Sequence, residues 1–307
     1  AIIALFFADI FLYQPDPWIE LSRIGTGMVT PYWPDISELA ISALHTISFA
    51  LLGVAVSACL GVLLAMWFHW RAVRVFSAVI RSVHEIFWGL LFMQVFGLSA
   101  LTGLLAIIIP FSGIFAKVFA DIFHQQPATA VNTMGQADRL SRFIYGWIPQ
   151  AWPALSSYVR YRFECALRSS AILGFIGLPT LGFHLETAVR QGDYSEAAAV
   201  FWVFLLIIGT VRFWLYKRFL PFYLLAAIFL LPEMPPVNAS FIWQFFTQDL
   251  WPVPLQQGDL SGTLSWYGRV VSDEVIPALI QTIAITQAAL ALSGVLALMW
   301  YPFASRW

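Results

Sequence analysis

The residues able to do chemistry are few and grouped. From 158 to 177 the chain reads YVRYRFECALRSSAILGFIG, which sets Arg160, Arg162, Glu164 and Arg168 close together in a protein that is only 11% charged. Helical positions four apart share a face, so Arg160, Glu164 and Arg168 would form one stripe, with Glu164 ahead of Arg168 in the favourable order for an ion pair. Arg162 would point roughly the other way. Arg81, His84 and Glu85 form a second group with i, i+3, i+4 spacing, and Lys117 with Asp121 a third. Three roles are open to such charges. Bracing would send Arg160 and Arg162 to the cytoplasmic headgroups and pair Glu164 and Arg168 with neighbouring helices, while Arg81 and Glu85 could pair on one face. A gate network would join two halves of a pathway. Direct contact would hold an oxyanion, which the planar fork of arginine suits. Bracing is the plainest reading, because a self-neutralising stripe offsets the at least 2.5–3.5 kcal/mol, roughly, that each bare charge costs in a bilayer.

That cost matters because the surrounding elements are membrane-like. The chain is 60% hydrophobic with 27 Phe and 14 Trp, and its mean hydropathy is +0.77. Stretches 39–68 and 86–116 contain no Asp, Glu, Lys or Arg, and a spanning helix needs about 20 apolar residues. A β-barrel would instead show short alternating segments. The expected fold is therefore all-α, a polytopic helical membrane protein with about eight membrane segments, at 1–13, 39–68, 77–97, 100–123, 154–177, 197–216, 219–232 and 275–302. Lys and Arg accumulate on the cytoplasmic side. Arg71, Arg74, Arg139, Arg142, Arg212, Lys217 and Arg218 fall in one alternating set of connections, and only Arg23, Arg190 and Arg269 in the other. This places 69–75, 124–149 and 212–218 in the cytoplasm, 14–38, 183–196 and 233–274 outside, and the N-terminus on the cytoplasmic side.

Several chemistries have no residues to carry them. There is no Walker A loop, His84-Glu85 lacks the second histidine of a zinc protease, and no G-x-S-x-G elbow occurs. Cys59 and Cys165 suggest neither a disulfide framework nor a metal site. A net charge of −1 gives no reason to expect nucleic acid as a partner. No catalytic residue, cofactor or metal is assigned to the chain; membrane lipid is its expected surrounding.

Two segments resemble each other. His45-Thr-Ile opens a run ending at Trp67, and Gln281-Thr-Ile opens one ending at Trp300, with Glu38 and Glu274 each seven residues ahead. The expected organisation is a first module at 1–218 and the start of a repeated module at 219–307. Equal sequence and equal orientation would relate 39–68 and 275–302 by a pseudo-two-fold axis along the membrane normal. The alternative is that two apolar helices merely share Leu, Ala and Val.

Between the fourth and fifth segments lies the polar insert 124–149. Pro127 would open a short helix with a small apolar face, Ala128, Ala130, Val131 and Met134, ending at Gly135. Pro149 and Pro153 would then break the chain. Such a helix suits docking into a soluble partner, or is an ordinary surface loop.

The insert resembles the EAA signature of ABC-importer permeases, with Gly135 and Pro149 at its Gly and Pro. It departs from it in Thr129, in Val131 and in a Gly-to-Pro spacing one residue longer. The flanking RSVHEIFWGLLFMQVFGL (81–98), TGLLAIIIPFSGIFAKVFAD (102–121) and the arginine segment together resemble the permeases of phosphonate ABC importers. The resemblance implies the type I permease fold and a transport subunit of the bacterial inner membrane, not an enzyme. It implies ABC ATPase subunits that carry ATP and Mg, a periplasmic substrate-binding protein and a second permease module as partners. Residues Ala128, Thr129, Ala130, Val131, Met134 and Gly135 would couple to the ATPase. The cargo would be phosphonate or a related phosphorus oxyanion. An ABC permease for another small solute, or a non-ABC transporter or channel, remains the alternative.

Overall fold

A computed structural model describes residues 16–127, 134, 137–232 and 239–304. Every regular element among them is helical. The chain forms two compact units, Trp18–Ile242 and a second that holds Trp243 onward.

In the first unit, α1 (Pro17–Val29) precedes α2 (Ile36–Met66). Asp35 caps α2 by accepting from the Ser37 amide at 2.8 Å and the Ser37 hydroxyl at 2.7 Å, which holds its carboxyl below the usual carboxylate range. The 31 residues of α2 make about 46 Å of helix, well beyond the roughly 30 Å of hydrocarbon in a bilayer. Helices in lipid associate through close packing of small residues rather than through exclusion of water. The buried face of α2 follows that rule: a Cβ on Gly61 would lie 2.3 Å from the Phe115 Cβ, and one on Gly53 would lie 2.8 Å from the Ile107 side chain. Both partners belong to α5 (Ala100–Gln125), the chief neighbour of α2.

The segment expected at 77–97 is not one straight span. It divides into α3 (Arg71–Ser82) and α4 (Glu85–Phe96), bent 92° apart. The cause is local. Val83 and His84 are extended, and the His84 Nδ1 accepts the Ile86 amide at 3.3 Å, so a new helix starts there. The twelve residues of α4 cover only about 18 Å. Helix α3 is amphipathic: Arg71, Arg74 and Arg81 are exposed, while Ser77 and Ile80 are buried against α5 at Gly113.

A second difference lies at Pro149 and Pro153, which do not interrupt the chain. Helical structure runs from Arg139 through a π-helical turn, Arg142–Trp147, into α6 (Ile148–Ile172). The wider turn bonds the Ile148 amide to the Phe143 carbonyl. Pro149 follows directly on that wider turn and Pro153 lies inside α6, so the helix runs past two positions that have no backbone N–H to donate. The Gln150 side chain donates to the Gly146 carbonyl at 3.0 Å.

After α6, a 3₁₀ turn (Leu173–Ile176) and Gly177, with φ +92°, lead into α7 (Leu181–Gln191), bent 57° from α6. Next come α8 (Tyr194–Trp214) and the short α9 (Leu220–Phe229). In the second unit, α10 (Leu260–Arg269) continues through a π turn into α11 (Ile276–Ala304).

Four helical stretches are long and apolar enough to cross a membrane: Ile36–Met66, Ala100–Gln125, Tyr194–Trp214 and Leu260–Tyr301. The count reaches six if each bent pair is one span. Of the other two expected segments, 219–232 holds only the ten-residue α9, and 1–13 lies outside the described residues. The chain is a multi-pass, all-α membrane protein.

Contacts at the two ends of α2 agree with the loop grouping. Past its C-terminal end, 65–69, 120–124 and 142–147 surround one cavity. Near its N-terminal end, Arg23 donates to the Gly192 carbonyl at 3.3 Å and the Tyr32 amide to Ser195 at 3.1 Å. In a background lacking Cys59 and Cys165, Gln136→Cys and Gln191→Cys should therefore react with an impermeant thiol reagent from opposite sides. Labelling of both from one side would contradict this topology.

Candidate functional site

Helix α6 carries the arginine segment through the centre of the first unit. Arg162 lies fourteen residues into it, about 21 Å along its axis. Its guanidinium stacks 5.0 Å from the Phe111 ring centroid on α5, and its Nε donates to the Tyr158 hydroxyl at 3.1 Å. Aromatic faces hold a cation where water cannot. Arg160 donates to the Leu215 carbonyl at the end of α8 at 3.2 Å, in the connection 212–218 that loop charge assigns to the cytoplasm. That orphan carbonyl at a helix C-terminus favours a cation.

The expected Glu164–Arg168 pair is absent. Arg168 is exposed and turns to the Cys165 sulfur at 3.9 Å. Glu164 is half-buried, with no hydrogen bond or ion pair among the described residues. Four-residue spacing permits a pair without requiring one. The expected Arg81–Glu85 pair is absent too, because the 92° break falls between them. Lys117 and Asp121 do pair, at 2.6 Å, on an unbroken turn of α5.

Glu85 instead looks across to α6. Its side chain is 15% exposed, it accepts from the Ser169 hydroxyl at 2.5 Å, and its other oxygen lies 3.9 Å from the His84 Nε2. The break at His84 thus ties α4 to the arginine helix through one charge-assisted bond, a class worth roughly 1.5–3 kcal/mol. A double-mutant cycle of Glu85→Gln and Ser169→Ala should show coupling of about 1 kcal/mol or more in detergent unfolding, whereas Glu164→Ala and Arg168→Ala should add to within about 0.5 kcal/mol. The reverse pattern would contradict the geometry.

A second polar cluster joins α2 to the α6–α7 break. The Ser42 hydroxyl and the His184 Nε2 lie 2.8 Å apart, the His45 Nδ1 is 2.8 Å from the Pro179 carbonyl, and the Leu181 amide donates to the Thr46 hydroxyl at 3.0 Å. Residues 42, 45 and 46 share one helical face, so a single stripe of α2 clasps the whole turn. Trp33 packs edge-on against His184, with ring centroids 5.4 Å apart. In the sequence, His45 and Thr46 stand out only as part of the repeat. Polar residues at i, i+3 and i+4 within the charge-free run 39–68 were the available signal.

The residues expected to couple to an ATPase, Ala128, Thr129, Ala130, Val131 and Gly135, lie outside the described residues. Met134 is half-buried in a turn, where its carbonyl accepts from the Ala137 amide at 3.2 Å. Among the described residues, no group of three or more His, Cys, Asp or Glu could hold a metal.

No protein-family model matches the chain, and no solved structure does. Curated relatives do match. The chain is 31% identical to a phosphate-import permease of Mycolicibacterium smegmatis over 194 residues, 59% of this chain and 36% of that protein. It is 30% identical to a phosphite transport system permease of Stutzerimonas stutzeri over 141 residues, 45% of this chain and 51% of that protein. Against a putative cryptic phosphonate transport system permease of Escherichia coli it is 32% identical over 111 residues, 35% of this chain and 88% of that protein. The chain thus spans about a third and a half of the first two relatives' length. With 88% of a relative covered above 30% identity on an all-α, multi-pass scaffold, the chain belongs to the phosphonate-type permease family of ABC importers.

Proposed function

We propose that the chain is a membrane subunit of an ATP-driven importer that passes phosphonate, or a related phosphorus oxyanion, to the cytoplasm. The observation that carries this reading is the similarity to permeases named for phosphate, phosphite and phosphonate. The subunit sits in a bacterial inner membrane with its N-terminus in the cytoplasm. It takes substrate from a periplasmic binding protein and works with ABC ATPase subunits, which hold ATP and Mg.

The residues support a conduit rather than a clamp. Arg162 and Arg160 are engaged by an aromatic face and a helix-end carbonyl, so they brace the unit. Glu164, Arg168, Arg81 and His84 remain as path or gate residues. A half-buried carboxylate without a partner repels anions and favours release over retention. The second module that completes the path begins near 219. Thr282 back-bonds to the Ala278 carbonyl at 2.8 Å as Thr46 does to Ser42 at 2.8 Å. Helical Thr often does this, so the repeat itself rests on the sequence match.

Co-purification tests the partner assignment. Membranes solubilised mildly should yield an ABC ATPase with the chain, and Ala130→Trp should weaken that association while leaving the chain in the membrane. Isolation of the intact chain without any ATPase, under conditions that preserve other importers, would contradict the proposal.

A further inference from the structure

Past the C-terminal end of α2 lies a cavity of about 730 Å³. Its walls come from α2 and the residues after it, the end of α5, and the π turn before α6. Among the described lining residues are His69, His124 and Arg142, with Phe68, Phe143 and Trp147, and none is acidic. The nearest acid in sequence, Asp121, is held by Lys117 at 2.6 Å. Arg142 spends its Nε on the Ala137 carbonyl at 2.8 Å, and its two terminal nitrogens carry no hydrogen bond among the described residues. His124 is exposed at the rim.

A guanidinium fixed at Nε presents its remaining N–H groups in a rigid fork, the arrangement that binds phosphoryl oxygens in pairs. Aromatic walls exclude water and so strengthen each charged hydrogen bond. The cavity falls within the roughly 300–1,000 Å³ of small-ligand sites, larger than a bare tetrahedral anion needs. Loop charge puts this end at the cytoplasmic surface, where two sources offer the same group: a free phosphorus oxyanion and the headgroup of an anionic phospholipid.

We propose that this cavity binds a phosphoryl oxyanion through Arg142 and His124. The site is separate from the Arg162–Glu85 core, and its binding does not depend on what the protein transports.

The test uses the full chain in phosphatidylcholine nanodiscs. One arm measures binding of radiolabelled inorganic phosphate by equilibrium dialysis. The other adds phosphatidylglycerol to the discs and counts retained lipids by native mass spectrometry. Arg142→Gln and His124→Asn are compared with Arg71→Gln, a control for surface charge. Saturable phosphate binding that weakens about tenfold or more in both cavity variants, and not in the control, supports a free-oxyanion site; one charge-assisted bond corresponds to that factor. Phosphatidylglycerol retained by the native chain and the control, and lost in both cavity variants, supports a headgroup site. Binding of neither probe, or binding unchanged in the cavity variants, overturns the proposal. Should Arg142→Gln fail to fold, His124→Asn decides alone, since its side chain lies at the exposed rim.

Discussion

Gly174→Val leaves little folded protein in the membrane. A Cβ at 174 would lie 2.1 Å from both the Gly182 carbonyl carbon and the Phe183 amide nitrogen, which are backbone atoms with no rotamer to change. The 3₁₀ turn and the start of α7 touch there. Overpacking a core usually costs about 1–3 kcal/mol, and separating two backbones that must touch lies above that range. Against a total stability of about 5–15 kcal/mol, the loss should appear as a collapsed monodisperse peak in size exclusion and a lowered unfolding midpoint. Gly209 on α8 is the control. A Cβ there would meet nothing within 4 Å, so Gly209→Ala should raise stability by up to about 1 kcal/mol, the helix-propensity gain. A wild-type midpoint for Gly174→Val would contradict the packing of the break.

Thr46→Val should cost more than its size suggests. The swap keeps the shape and removes the hydroxyl that accepts the Leu181 amide, in a side chain with no exposure. An orphaned buried N–H costs about 1–3 kcal/mol, and the clasp also loses its alignment with Ser42–His184 and His45–Pro179. Unfolding at a lower temperature and slower uptake are expected together. Thr46→Ser keeps the hydroxyl and should recover most of both. Equal behaviour of the two variants would remove the hydrogen bond from the account.

These two sites show what the sequence could and could not disclose. The charge-free runs 39–68 and 86–116 announced α2 and the α4–α5 region, because a long continuous apolar run satisfies its backbone in lipid as a helix, whereas a barrel strand is short and alternating. The insert and its flanks pointed to the family before any comparison. The division of 77–97 depends on an imidazole capping the next helix, and the change from the amphipathic RAVRVFSAVIRS to the apolar EIFWGLLFMQVF was the available signal. Pro149 and Pro153 read as a break because proline removes a backbone donor, yet the helix continues past both, with a π turn just before Pro149 and regular α-helix around Pro153. Four-residue spacing correctly gave Lys117–Asp121, but failed for Arg81–Glu85 across a bend and for Glu164–Arg168 on a helix where other acceptors compete. Contacts such as Ser42–His184, 142 residues apart, leave no periodic trace in either helix.

The most direct measurement of the central claim is substrate movement with ATP as the sole energy source. The chain, together with the proposed ATPase and binding-protein partners, is placed in proteoliposomes with no ion gradient. Uptake of radiolabelled methylphosphonate, phosphite and phosphate is then followed with and without ATP. The account predicts that at least one of these oxyanions accumulates only with ATP, and that loaded binding protein accelerates hydrolysis. Accumulation driven by an ion gradient without ATP, or ATP-driven uptake of a different solute in place of all three, would contradict it.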